Sequence, residues 1–198
     1  MTELGPWDAL TPHGAHELFR GFGAPWWVVG GWAIDLFVGR QTRTHGDIDL
    51  AVLRRDQGRL REHLSDWDIH VMHDGVLTAW EVDDELTAPR FQFWVRKAPG
   101  EAWSFEVMLE DEADGDWLFR RTPSVHLPLD RIGSVSPDGI SYLNPEIALL
   151  YKANRPEIER NTADFLSAAP LLEEAQRRWL RDAIAMLYAG HPWLEHLP

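Results

Sequence analysis

Residues 26–53 contain two short stretches, Trp26-Trp27-Val28-Val29-Gly30-Gly31-Trp32-Ala33-Ile34-Asp35-Leu36-Phe37 and Asp47-Ile48-Asp49-Leu50-Ala51-Val52, on which the reading of the whole chain turns. Trp26 to Val29 is a compact apolar run of strand length, and Gly30-Gly31 stops it. Beyond the glycines, Ala33, Leu36 and Phe37 fall at helical spacing. In the second stretch Ile48, Leu50 and Val52 alternate with Asp47, Asp49 and Ala51, the period-two pattern of a half-buried strand. The expected order is strand, glycine turn, helix and a second strand. Alternation then sets both aspartates on one sheet face, roughly 7 Å apart along the backbone.

Two carboxylates so placed suit Mg²⁺, a hard cation commonly shared between one or two carboxylates and substrate phosphates. The Asp-x-Asp spacing alone is common on solvated strands, so its weight comes from the glycines ahead of it. Gly30 and Gly31 let the backbone come close to a ligand, and the helix after them offers unpaired N–H groups to an anion.

Working outward, helices are expected at 15–22 and 57–64, and strands at 67–73, 76–82, 91–97, 103–109 and 117–121. Asp74-Gly75 and Pro99-Gly100 supply turns between the strands. Asn144-Pro145-Glu146 reads as a helix start, with Ile147, Leu150 and Tyr151 on one stripe. Two further helices are expected at 162–169 and 173–187, the second burying Trp179, Ile184 and Leu187 and stopping at Gly190. The expected fold is α/β (α+β): a mixed β-sheet flanked by helices over residues 1–140, then a C-terminal helical part over 141–198.

A chain of 198 residues with 44% hydrophobic content can bury a real core. Its formal charge of -13 opposes a role in gripping nucleic acid, since that binding depends on Lys and Arg neutralising phosphates. A cationic or neutral substrate fits the field better. With no cysteine, any metal must be held by carboxylates, histidines or water. Met1 to Asp8 lacks the pattern of a signal peptide and no apolar run approaches membrane-spanning length, so the expectation is a cytoplasmic protein without a membrane partner. Monomer and homodimer are both compatible with the sequence.

Gly30-Gly31-Trp32-Ala33-Ile34-Asp35, Gly39-Arg40, Thr42-Arg43, His45 and Asp47-Ile48-Asp49-Leu50 together resemble the aminoglycoside 2″-O-adenylyltransferase group of the polymerase-β-like nucleotidyltransferases. The close match covers about residues 28–53, and Tyr142-Leu143 with Pro145-Glu146, Leu149, Leu150 and Lys152 is similar to a helical segment of related members. The resemblance implies a nucleotide cradled by the glycines and two Mg²⁺ ions held by Asp47 and Asp49. It also implies a third carboxylate on a neighbouring strand, binding metal or activating the acceptor hydroxyl. Glu106 is the candidate, because Trp103, Phe105, Val107 and Leu109 share one strand face and leave Glu106 on the other. Where the family often has aspartate, this chain has glutamate there.

The function expected from the resemblance is transfer of a nucleoside monophosphate, AMP from ATP or its counterpart from another nucleoside triphosphate, to a hydroxyl of a small molecule such as an aminoglycoside. Lys152, Arg40, Arg43 and His45 are candidate phosphate contacts, each with an ordinary surface or turn role as the alternative. The acidic run Asp111–Asp116, with Glu81, Asp83, Asp84 and Glu85, is a candidate border for a polycation-attracting acceptor pocket. Nucleotidylation of a protein or tRNA partner is an alternative from the same superfamily. A catalytically silent nucleotide- or metal-binding module is an alternative from another class.

Overall fold

The computed structural model describes residues 4–81 and 83–197. Met1, Thr2 and Glu3 of the N-terminal stretch, and Val82 at the end of the strand expected over 76–82, lie outside the described residues. The elements in chain order are α1 (Pro12–Leu18), β1 (Trp26–Val28), α2 (Gly30–Val38), β2 (Asp49–Leu53), α3 (Gln57–His63), β3 (Asp68–His73), β4 (Val76–Ala79), β5 (Gln92–Arg96), β6 (Phe105–Ala113), β7 (Asp116–Leu118), β8 (His126–Pro128), β9 (Gly133–Val135), β10 (Ser141–Leu143), α4 (Pro145–Lys152), α5 (Glu159–Ala168) and α6 (Glu174–Leu187).

The strands form a mixed sheet in the order β4-β3-β5-β6-β2-β1-β10-β9, while the far half of β6 pairs with β7 and β7 with β8. β2 runs parallel to β6 and β1 parallel to β10; β1 and β2 are antiparallel. β2 is central because Leu50, Ala51, Val52 and Leu53 are all buried, which requires cover on both faces. β6 obeys strict alternation, with Phe105, Val107 and Leu109 fully buried in the core and Glu106, Met108 and Glu110 on the opposite face. That face is the one that matters for function.

The helical part folds back onto this frame. α4 opens at Pro145 behind Asn144, as its sequence dictates, and buries Ile147, Ala148, Leu149 and Leu150. α2 packs against α4 and α5, and α4 against α6. α6 begins with a capping box between Glu173 and Gln176, and the Gln176 side chain also donates to Glu146 Oε2 (2.8 Å), tying α6 to the start of α4. In α6 the buried residues are Leu180, Ala183 and Ile184, with Trp179 and Leu187 only partly covered. Among the described residues no helix is long and apolar enough to cross a membrane.

Several expectations need correction. Asp47 is not part of a strand: β2 starts at Asp49, and Asp47 sits exposed in the preceding loop. Ladder pairing reaches only to Asp49, opposite Glu106, while the Asp47 carbonyl accepts the Trp32 indole N–H (3.2 Å) instead. The glycines are not a separate turn, for they form the first residues of α2. The three-residue strands β8, β9 and β10 were not expected, being too short to show a period. β10 belongs to the sheet, so the division expected near residue 140 falls on its last strand to be added, and the helices begin at Pro145.

Candidate active site

The site is assembled where β1, β2 and β6 end beside the start of α2. Pairing places Asp49 directly across from Glu106, and the Val29 N–H donates to the Asp49 carbonyl (2.8 Å), so the α2 entrance is fixed to the same strand end. Gly30 has a positive φ of 67°, and a Cβ built there would collide with Asp49 Oδ2. A Cβ at Gly31 would collide with the Arg43 guanidinium and reach 2.8 Å from the His45 ring. Both glycines are therefore demanded by side chains that lie flat on the backbone, as well as by chain direction.

The carboxylates repel one another. Burial, then the charge of Asp47, pushes the Asp49 carboxyl up to about 7, although Lys152, Arg160 and Arg43 pull the other way. Burial, then Asp49, raises Glu106 well above the ordinary glutamate range. Glu106 is 8% exposed. Its Oε2 accepts the Trp94 indole N–H at 3.0 Å, whereas Oε1 is buried without a hydrogen-bond partner among the described residues. A buried, unpartnered carboxylate oxygen beside a second carboxylate is a site that a cation would complete.

The residues present thus fit hard divalent ions chemically, with Asp49, Asp47 and Glu106 as oxygen donors. Among the described residues no three His, Asp or Glu side chains converge closely enough to enclose a metal unaided. Mg²⁺ sites ordinarily take water and substrate phosphate for the remaining positions.

Asp49 and Gly30 also line a cavity of about 380 Å³ whose other walls include Lys152 from α4 and Arg120, Arg121, Arg155 and Arg160. In a chain of charge -13, this one cavity thus gathers five cationic side chains against the carboxylates Asp49 and Glu110. Its far wall holds Glu110, only 1% exposed, which accepts from the Trp117 indole (2.7 Å) and the Tyr151 hydroxyl (2.7 Å). Arg120 lies over the Phe91 ring at 3.7 Å and stands 3.7 Å from Glu110.

Of the candidate phosphate contacts, only Lys152 lines this cavity. Arg43 spends its fork on Asp164 of α5, donating from Nε (2.8 Å) and Nη2 (3.1 Å). His45 stacks on Trp32 (4.1 Å between centroids) and bonds Asp35 (2.5 Å), which also accepts from the Thr42 N–H and hydroxyl. His45 and Arg43 therefore brace the loop that carries Asp47. Arg40 is exposed and lines a different cavity with Asp35 and Leu36. None of the acidic-run residues lines this cavity, and four of them are paired elsewhere: Asp111 with Arg54, Glu112 with Arg55, Asp84 with Arg90 and Asp116 with His126.

Sequence reasoning missed Trp94, Glu110, Arg120, Arg160 and Asp164. Glu110 had a signal, since it repeats the Glu106 position two alternations along the same strand. Asp164 had none, because its partners are distant in sequence.

Residues 13–126, more than half of the chain, match the family model described as aminoglycoside-2''-adenylyltransferase. The chain belongs to that family. A 2''-aminoglycoside nucleotidyltransferase from Escherichia coli is 38% identical over 77 residues, 37% of this member and 42% of that protein, and one from Klebsiella pneumoniae matches to the same extent. This family member thus aligns with less than half the length of those curated relatives. Its fold is shared with the crystal structure of ANT(2")-Ia in complex with adenylyl-2"-tobramycin: TM-score 0.57, 20% identity, covering 88% of this chain and 95% of that one. It is also shared with lincomycin-bound LnuA, a lincosamide antibiotic adenylyltransferase: TM-score 0.53, 18% identity, covering 77% and 90%.

Proposed function

We propose that this family member is a metal-dependent nucleotidyltransferase that moves a nucleoside monophosphate, AMP from ATP, to a hydroxyl of an aminoglycoside or lincosamide type of antibiotic. The observation that carries the reading is the facing pair Asp49 and Glu106 at the entrance of α2, with Asp49 itself lining a cavity whose cations include Lys152. The family and the antibiotic-modifying relatives support the acceptor class.

The triphosphate lies along the cationic wall, with Lys152 toward its outer phosphates and the first N–H groups of α2 pointing at it. Asp47 and Asp49 would hold Mg²⁺, which when bound supplies charge neutralisation on the phosphates. The acceptor oxygen bonds to the α-phosphorus as the bond to the bridging oxygen breaks and pyrophosphate leaves. The hydroxyl proton passes to Glu106 Oε1, which is without a hydrogen-bond donor among the described residues. Trp94 holds the other oxygen, which limits the orientations Glu106 can adopt.

Titration calorimetry of each nucleoside triphosphate with and without Mg²⁺, into wild type and an Asp47→Asn, Asp49→Asn double variant, tests this reading. Metal-dependent binding lost in the variant is expected, followed by pyrophosphate release when tobramycin or lincomycin is added. Equal or absent binding in both proteins would leave the silent-module alternative in its place.

A further inference from the structure

Asp164 lies in α5, outside the residues matched by the family model, yet it touches the site from behind. It is 1% exposed. Its Oδ1 accepts from Arg43 Nε (2.8 Å), and its Oδ2 takes both Arg43 Nη2 (3.1 Å) and Lys152 Nζ (2.9 Å). One buried carboxylate thus joins the loop that carries Asp47, the end of α4 and the middle of α5.

We propose that Asp164 is the positioning residue of the nucleotide end of the cleft, holding Lys152 and Arg43 in fixed places beside Asp49. The inference rests on the nucleotide reading of that cleft. Lys152 has three N–H donors and spends one on Asp164, so two remain for phosphate oxygens. A lysine on a flexible stem loses considerable rotamer freedom when a ligand immobilises it, and Asp164 settles that loss beforehand. Arg43 is different: it spends three of its five N–H donors inside the protein, Nε and Nη2 on Asp164 and Nη1 on the Thr44 carbonyl (3.2 Å), and it does not line the cavity, which makes it a strut rather than a ligand.

Two cations hold Asp164 below the ordinary aspartate range in spite of its burial, which by itself would raise it. An asparagine at this place removes the charge both cations lean on and turns its NH₂ either toward Arg43 Nε or toward Arg43 Nη2 and Lys152 Nζ, so at least one of these contacts is lost.

The test is a double-variant cycle on Mg²⁺–ATP affinity with wild type, Asp164→Asn, Lys152→Met and the double variant, each checked by thermal melting at the assay temperature. Asp164→Asn is expected to weaken ATP about tenfold, and the double variant to lose clearly less than the sum of the two single losses, because Asp164 acts in part through the lysine and in part through Arg43. Additive losses overturn the proposal, as does an Asp164→Asn protein that binds ATP as tightly as wild type or more tightly. If Asp164→Asn does not stay folded, the same cycle is run with Asp164→Glu, which keeps the charge and displaces the lysine by a methylene. A wild type that binds no nucleoside triphosphate would sink the functional reading and this inference together, whereas intact wild-type binding with an additive cycle sinks only the inference.

Discussion

The two ends of the cleft face of β6 hold the same residue type in opposite circumstances. At one end Glu106 accepts from Trp94 on one oxygen, has its other oxygen buried without a hydrogen-bond partner among the described residues, and faces Asp49. At the other, four residues on, Glu110 is more deeply buried but has Trp117, Tyr151 and Arg120 around it. Burial alone therefore does not mark a reactive carboxylate. What separates the two is whether the protein itself has supplied the partners. Glu110 is a finished structural joint, and Glu106 is a group left for a ligand to complete.

The largest expected effect would break the pair apart. Glu106→Gln should lower the rate of pyrophosphate release by roughly a thousandfold, as loss of a positioned base does, while urea unfolding shows stability unchanged or improved because a repelling charge is gone. Glu110→Met should do the reverse, losing about 2 kcal/mol of unfolding free energy because Trp117 and Tyr151 are left without an acceptor, with turnover much less affected. If both variants lose activity alike and stability alike, the contrast drawn from their partners is wrong.

A smaller effect sharpens the Glu106 end. Trp94→Phe keeps a ring but removes the indole N–H, and turnover should fall about tenfold with triphosphate affinity preserved. Affinity falling along with turnover would make Trp94 a general scaffold residue rather than a support for Glu106.

The mildest test is pH. Asp49 and Glu146 are raised to about 7 and Glu106 beyond the ordinary range, so these three carboxyls bind more protons in the native chain than in the unfolded one above about pH 4, while Asp84 and Asp164, both held low, act below that range. Unfolding free energy should accordingly fall as pH rises from about 4 through 7 in EDTA. Asp49→Asn should flatten that slope, and so should Mg²⁺. A slope identical in wild type and Asp49→Asn would mean that the crowding at the strand end is relieved in solution.

Legibility followed sequence distance. The alternation of β2 and β6 put Asp49 and Glu106 on the strands and faces where they stand because each strand carries its own period, and Gly30-Gly31 announced the α2 entrance because the chain direction changes there. Asp47 was placed on the strand and lies in the loop before it, because alternation ran two residues past the point where the ladder stops. Arg43 and His45 were assigned to phosphate because their neighbours Asp35 and Asp164 were not visible as partners, the latter being 121 residues away. The acidic loops misled in the same manner, since charge composition carries no record of which arginine lies opposite. Register, finally, cannot be read within one strand, and the meeting of Asp49 with Glu106 is a property of two.

The N-terminal residues hold one more consequence. Trp103 donates its backbone N–H to the Pro6 carbonyl, and Asp8 and Leu10 donate to the carbonyls of Trp103 and Ser104, all at 2.9 Å. Trp7 is thereby set edge-on to Trp94 (4.9 Å), the residue that grips Glu106. In a survey of natural variants or a directed-evolution library, Trp7 would behave as an active-site position. A profile confined to the family-matched region would score its loss as silent, and an affinity tag joined close to it would be read out as poor turnover rather than poor folding.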